Sequence, residues 1–389
     1  MRHIAAFFLL LPVLAGAQWT QVPISSGANF ESFDFIGNTG LMNGGGVWKT
    51  TDGGATWTQK LTGFTRDVDM ASLNTAYCAG VSSQAMWVST NGGEDWTELT
   101  PPNSNSLWGV SSPVDGTAWF VGTGSVVWRT DLFGADITVQ NPPNMGADAH
   151  DVCFVSDQVG YVLIETSYIW KTIDGGENWT TSYDGSGSLL QSIYFPTPAV
   201  GFAVGSGGRI VRTTDAGANW TELNTGTTEY WQYVHFFDAQ NGMVAAYSGK
   251  VYRTVNGGDT WFQEPQFTTT RMNSVYMFSP TSAIVAGEAG EIWRNTNMVV
   301  GIAEVPAAPL LGVHPVPSSG VVILEVPNDV RAMSGTVQVI DLHGREVLSA
   351  PVGSGRNWTF DIGSLVPGCY AGRVVLADGR VYRVRLQRD

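Results

Sequence analysis

Val47-Trp-Lys-Thr-Thr-Asp-Gly-Gly-Ala-Thr-Trp57 is written again and again along this chain with small changes. Full copies span Met86–Trp96, Ile169–Trp179, Ile210–Trp220 and Val251–Trp261, and a worn copy spans Val127–Ile137. A seventh, Ile292–Asn297, stops before its glycines and tryptophan. The missing piece stands at the other end, where Gln18-Trp19-Thr20-Gln21 matches Thr56-Trp57-Thr58-Gln59. A repeat of about 40 residues that begins and ends in mid-unit points to a ring closed by its own first strand.

Each period carries four short runs: in the first, Phe30–Phe35, Thr39–Asn43, Gly46–Thr50 and Thr56–Gln59. They are rich in β-branched and aromatic residues and punctuated by glycine, so they read as antiparallel strands. One such sheet cannot bury both faces alone, whereas seven stacked around an axis bury each against its neighbours. The turn between the third and fourth runs places Asp52, Asn91, Asp174, Asp215 or Asn256 where a short side chain can accept backbone N–H groups. Glycine follows to take the positive φ. Trp57, Trp96, Trp179, Trp220 and Trp261 recur at one register after it, which is how core residues behave.

These residues resemble the Asp-box, also called the bacterial neuraminidase repeat. With the apolar strand before it, the pattern from Trp19 to about Asn297 is most similar to the propeller of the photosystem II assembly and stability factor family. The resemblance implies a seven-bladed β-propeller. It also implies that the box is a structural turn on the side away from any ligand. Asp-boxes occur in sialidases, xyloglucanases and sortilin-type receptors as well, so the box alone names no activity.

The two ends carry other signals. Met1-Arg2-His3, the apolar run Ile4–Leu14 and Ala15-Gly16-Ala17 read as a secretory signal peptide over 1–17. The expected propeller occupies 18–299, a stiff linker with Val305-Pro-Ala-Ala-Pro309 occupies 300–312, and a second module runs over 313–389. Its motifs are Val313-His-Pro-Val-Pro-Ser-Ser-Gly320, Val339–Val347, Phe360–Tyr370 and Asp378–Leu386. They resemble the type A C-terminal sorting domain of the type IX secretion system, with Val316 in place of the usual asparagine. That resemblance implies a small β-sandwich, a Bacteroidetes-type bacterium, passage through the outer membrane and the secretion machinery as a partner. The eight arginines and eight acids of 300–389 cancel, so the net charge of −14 falls on the residues before them. Such a surface repels nucleic acid and anionic lipid. The signal run is too short to span as a permanent anchor, and no other segment qualifies. The three cysteines, Cys78, Cys153 and Cys369, form no framework and read as free thiols.

Comparison of the copies separates scaffold from variation. The residue after the third-strand aromatic is Lys49, Val88, Arg129, Lys171, Arg212, Arg253 and Arg294, six of seven basic, a regularity that fits pairing within the scaffold. Two residues before the central apolar position of each first strand stand Glu31, Arg66, Trp108, His150, Gln191, Gln232 and Asn273, nearly all different. With Trp19 closing the ring, the loops into these strands share the face opposite the Asp-box turns. That variable face is the candidate recognition surface, with Phe64, Tyr230, Trp231 and Arg271 adding exposed aromatic and cationic character to Arg66, Trp108 and His150.

Catalytic readings fit less well. No Arg-Ile-Pro motif of the sialidase kind occurs, and the acids a glycosidase would need, Asp34, Asp67, Asp69 and Asp151, carry no distinguishing pattern. His150 and His235 lack metal-ligand partners at usable spacing, and Gly44–Gly46 lies in a hairpin rather than before a helix. The expectation is an all-β, secreted, monomeric scaffold that binds a protein or glycan, with no catalytic residue, metal or cofactor; the alternative is an extracellular glycoside hydrolase.

Overall fold

The computed structural model describes residues 19–298 apart from 82–85, 141, 143–146, 166–167 and 186–188. It also describes residues 311–388 apart from 315–319, 326–333, 341–345, 354–356 and 377–380. The signal-peptide segment 1–17 and most of the expected linker, 299–310, lie outside the described residues. The chain divides into two compact units between Thr296 and Asn297.

The larger unit consists of seven four-stranded antiparallel sheets among the described residues. Six follow the chain in order; the first comprises Phe33–Ile36, Thr39–Asn43, Gly46–Thr50 and Thr58–Thr62. The seventh is composite. Met272–Ser279, Ser282–Gly287 and Ile292–Asn295 take Thr20–Gln21 as their outermost strand, with Thr20 opposite Arg294 and Gln21 opposite Trp293. Val22 N–H then donates to Ile292 O at 2.8 Å. Sheets seven and one meet directly: Asn273 Nδ2 donates to Phe30 O at 3.0 Å and Tyr276 OH to Phe35 O at 3.0 Å.

Aromatic side chains join neighbouring sheets. Trp119 stacks on Phe154 with centroids 3.7 Å apart, Tyr161 on Phe195 at 4.1 Å, and Phe202 on Phe236 at 3.7 Å. Against each of those phenylalanines the box tryptophan of the same sheet stands edge-on: Trp179, Trp220 and Trp261, with Trp57 likewise on Phe35. The phenyl ring lies across the start of the second strand, where a Cβ on Gly160, Gly201 or Gly242 would stand 2.4–2.5 Å from it. Only glycine fits there. Of the five recurring tryptophans, Trp179 is buried; Trp57, Trp96, Trp220 and Trp261 are half-buried at the edges of the apolar clusters.

The Asp-box turns are built alike. Asp52, Asn91, Asp174, Asp215 and Asn256 each accept the backbone N–H four residues on through Oδ1, at 2.8–3.0 Å. The hydroxyl two residues earlier accepts the N–H of the second glycine, whose φ lies between +75° and +94°. The N–H and amide of Asn178 hold the Asp174 carboxyl down at about 2. In the worn copy this turn gives way to Leu132-Phe133-Gly134, with Leu132 and Phe133 both at positive φ.

The repeated basic residues latch one sheet to the next or to its own strands. Lys49 pairs with Glu94 at 2.7 Å, Lys171 Nζ donates to Ala216 O at 2.7 Å, and Arg212 reaches Gly257 O and Asp259. These acceptors all belong to the following Asp-box turn. Arg129 pairs with Asp131, and Arg253 forms a buried pair with Glu264 at 2.9 Å. The cationic register is scaffold.

In the smaller unit, Val313–His314, Val321–Glu325 and Asn357–Asp361 form one sheet. Gly335–Ile340, Glu346–Val352, Gly368–Leu376 and Val381–Arg388 form another. Alternate residues of both sheets, among them Val322, Leu324, Val337, Val339, Trp358, Phe360, Val374 and Val384, enter one apolar core. Among the described residues no helix is long and apolar enough to cross a membrane.

Candidate functional site

The first strand of each sheet has one edge without a strand partner, so its N–H groups need other acceptors. Side chains of the preceding sheet supply them in sheets two to seven, while Asn273 and Tyr276 of sheet seven donate to carbonyls of sheet one. Asp67 Oδ2 accepts Val110 N–H and Asp151 Oδ2 accepts Ile193 N–H, both at 2.8 Å; Asp34 Oδ2 accepts Met70 N–H at 2.7 Å. Asp69 accepts Ser112 N–H, Ser111 Oγ accepts Phe154 N–H, Ser192 Oγ accepts Val234 N–H and His235 Nδ1 accepts Met277 N–H. Each bond joins residues one repeat apart. The seven first strands therefore stand side by side around a channel, walled by short polar groups.

Two cavities occupy that channel and share Asp67, Asp151 and Tyr233. The narrower, of about 210 Å³, lies on the face opposite the Asp-box turns. All seven variable residues line it: Glu31, Arg66, Trp108, His150, Gln191, Gln232 and Asn273, joined by Arg271. The wider cavity, of about 510 Å³, is walled by Asp34, Asp69, Tyr194, His235 and Tyr276. It reaches Ile36, Pro113, Val155 and Pro196 at the first-strand turns, on the Asp-box side.

Charge and aromatic groups form a chain around the narrow mouth. The Arg66 guanidinium lies 5.9 Å from the Trp108 ring and 3.9 Å from Glu31. Trp108 meets the His150 ring at 4.6 Å. Arg271 donates to Gln232 Oε1 at 2.6 Å, lies 4.4 Å above Tyr247 and stands 3.6 Å from Glu288. Burial raises the Glu31 pKa against the opposing pull of Arg66 and Arg271. Burial also lowers the His150 pKa, favouring the neutral ring. The mouth thus offers two guanidinium groups, an indole and three carboxamides over carboxyls whose ionisation is suppressed. That set suits hydrogen-bonded recognition.

Phe64 is exposed on this face, where its carbonyl accepts Val81 N–H, and Tyr230 is half-buried against Tyr247. Trp231 corrects the sequence reading. It is wholly buried, packed on Trp261 at 5.2 Å and on Tyr252, and takes no part in a surface. A bulge between Trp231 and Tyr233 turns the indole into the sheet interface while Tyr230 remains outside.

The channel acids were not legible as a group. Burial raises Asp34 and Asp67 well above the usual carboxylate range and brings Asp151 to about 7, even though both oxygens of each accept backbone N–H groups. What exposure these carboxyls retain is to the channel rather than to the outer surface. A partial sequence signal does exist: of the positions flanking the central apolar residue, eight hold Ser or Asp (Ser32, Asp34, Asp67, Asp69, Ser111, Asp151, Ser192 and Ser274), while others hold Tyr194, Tyr233, His235 and Tyr276. Cys78 and Cys153 are free thiols, and burial pushes Cys153 up to about 12; the Cys369 side chain lies outside the described residues. Among the described residues no group of three or more His, Cys, Asp or Glu side chains could hold a metal ion.

Residues 136–297 match the family of the photosynthesis system II assembly factor YCF48, and residues 312–383 match the secretion system C-terminal sorting domain. No curated protein matches the chain. Among solved structures, YCF48 from Cyanidioschyzon merolae is 18% identical with a TM-score of 0.59, covering 71% of this chain and 98% of that one. A YCF48 bound to D1 peptide is also 18% identical, with a TM-score of 0.60, covering 71% and 96%. A catalytically inactive virginiamycin B lyase from Staphylococcus aureus with quinupristin is 14% identical, with a TM-score of 0.62, covering 71% and 98%. At such identities the likeness is one of fold, shared by a binding protein and an enzyme. The chain carries a propeller domain of the YCF48 type and, behind it, the type IX C-terminal sorting domain that marks it for secretion to the cell surface.

Proposed function

We propose that this chain is a non-catalytic binding scaffold outside the cell, a closed seven-bladed propeller that holds a protein or glycan partner at the mouth formed by Arg66, Trp108, His150 and Arg271. In this reading residues 1–17 take it across the inner membrane, and the C-terminal module, a small β-sandwich, takes it through the outer one. The observation that carries the proposal is the contrast between registers. The positions that repeat are engaged in turn, latch or core, whereas a register of large, mostly polar residues that does not repeat converges on a single cavity. Large polar side chains that differ from sheet to sheet give a mouth without rotational symmetry, which is what a unique partner requires. The glycoside hydrolase reading draws less support, since Asp67 and Asp151 already serve as acceptors for the neighbouring strand.

The mature chain, immobilised, is tested against a glycan array and a cell-surface protein extract, with reducing sugar assayed in parallel on soluble polysaccharides. The expected result is retention of a partner without sugar release. Release that is lost in Asp67→Asn or Asp151→Asn would overturn the proposal in favour of hydrolysis.

A further inference from the structure

Asp67, Asp151 and Tyr233 border both the mouth and the wider cavity, which opens on the other face. Its lining is polar, yet it lacks the features that would select an ion. The propeller carries a strong net negative charge, which disfavours an anion. No three of its side chains are set to hold a metal. One group on its wall is a donor of fixed tautomer. His235 is 94% buried, and its Nδ1 accepts the Met277 N–H at 3.1 Å. That bond fixes the tautomer, so Nε2 carries the proton. Nε2–H meets no protein acceptor and belongs to a ring on the cavity wall, between Tyr194 and Tyr276 at 4.5 and 4.2 Å. That donor is open to the cavity, so whatever occupies the cavity, water or ligand, supplies its acceptor.

We propose that the Asp-box side of the channel is a second binding site, which takes the terminal ring of an uncharged glycan. The cavity's volume of about 510 Å³ falls within the usual range for ligand sites, about 300–1,000 Å³. A pyranose presents hydroxyls on every side, each both donor and acceptor. The wall answers with the fixed Nε2–H donor of His235, the phenols of Tyr194 and Tyr233, and the remaining lone pairs of Asp69 and Asp151. Suppressed ionisation of the carboxyls keeps that wall close to neutral, which suits a neutral ligand.

The test uses the full mature chain and four probes: methyl β-glucoside, methyl β-galactoside, methyl α-mannoside and N-acetylglucosamine. Saturation-transfer NMR is expected to show transfer to at least one of them. Tyr194→Phe, which keeps the ring and loses one hydroxyl, should weaken that probe by about 2- to 10-fold, the loss expected for one hydrogen bond. Arg66→Glu with Arg271→Glu, which alters only the opposite mouth, should leave it unchanged. No transfer to any of the four, or transfer indifferent to Tyr194→Phe, overturns the proposal. Transfer abolished by the arginine changes instead places the sugar at the mouth, which overturns the second site while supporting the first.

Discussion

Trp19→Ala is expected to lower the unfolding free energy of the propeller by about 3–5 kcal/mol, the usual cost of truncating a large buried aromatic. The indole is 4% exposed and lies 4.7 Å from the Phe267 ring. It precedes the strand that completes sheet seven with residues from the far end of the chain. Val22, Phe30, Phe33 and Phe35 share one apolar cluster with Ile284, Ala286 and Ile292, so the first residues of the propeller and the last are packed as a single core. Loosening Trp19 therefore opens the edge of sheet seven and weakens its interface with sheet one together. Urea unfolding at neutral pH measures it. A loss below about 1 kcal/mol would mean that the ring holds without its terminal strand.

The second large effect is a stability that falls as pH rises. Asp151 titrates at about 7 in the folded chain against a reference of 3.8, because burial disfavours its ionised form more than Ile193 and Val152 N–H groups favour it. A carboxyl with a raised folded pKa contributes fully below its unfolded pKa, and that contribution is lost as pH climbs through the folded one. The window is about pH 4 to 7. Three units correspond to about 4 kcal/mol, and channel water reduces this, so about 2–4 kcal/mol is the expected loss from this residue alone. Asp34, Asp67 and Asp69 are raised in the same direction and add to the slope. In Asp151→Asn the slope should shrink. The variant gives up one N–H acceptor, so it starts slightly less stable at pH 5 and gains on the wild type by pH 8. Urea midpoints across that range decide it; a flat wild-type profile, or two parallel profiles, would show that the channel carboxyls ionise without cost.

Fold and site were legible to different degrees, for a physical reason. The scaffold solves one packing problem seven times with the same letters: Asp52 and Asp174 make the same turn, and Trp179 and Trp220 stand edge-on to the same kind of ring. Periodicity exposes such positions at once. The channel wall solves one problem with different letters. A neighbouring N–H is accepted by aspartate in three sheets, by serine in two more and by His235 in another, so no one residue type marks the register. For Trp231 the sequence reading fails although the repeat carries the signal: it shares its register with Phe30, Leu107, Ala149, Leu190 and Met272, all buried, and the bulge beside it recurs in other sheets. The variable register, by contrast, was found by subtraction, and its seven members do line one cavity.

Partner affinity measured on the wild type and on Arg66→Glu/Arg271→Glu, with urea unfolding of the same samples, is the most direct test. The expected outcome is binding weakened at least about tenfold, equivalent to about 1.4 kcal/mol, with an unfolding midpoint that leaves the double variant folded under the binding conditions. Undiminished binding by the double variant would contradict the assignment of the mouth, whatever partner is recovered.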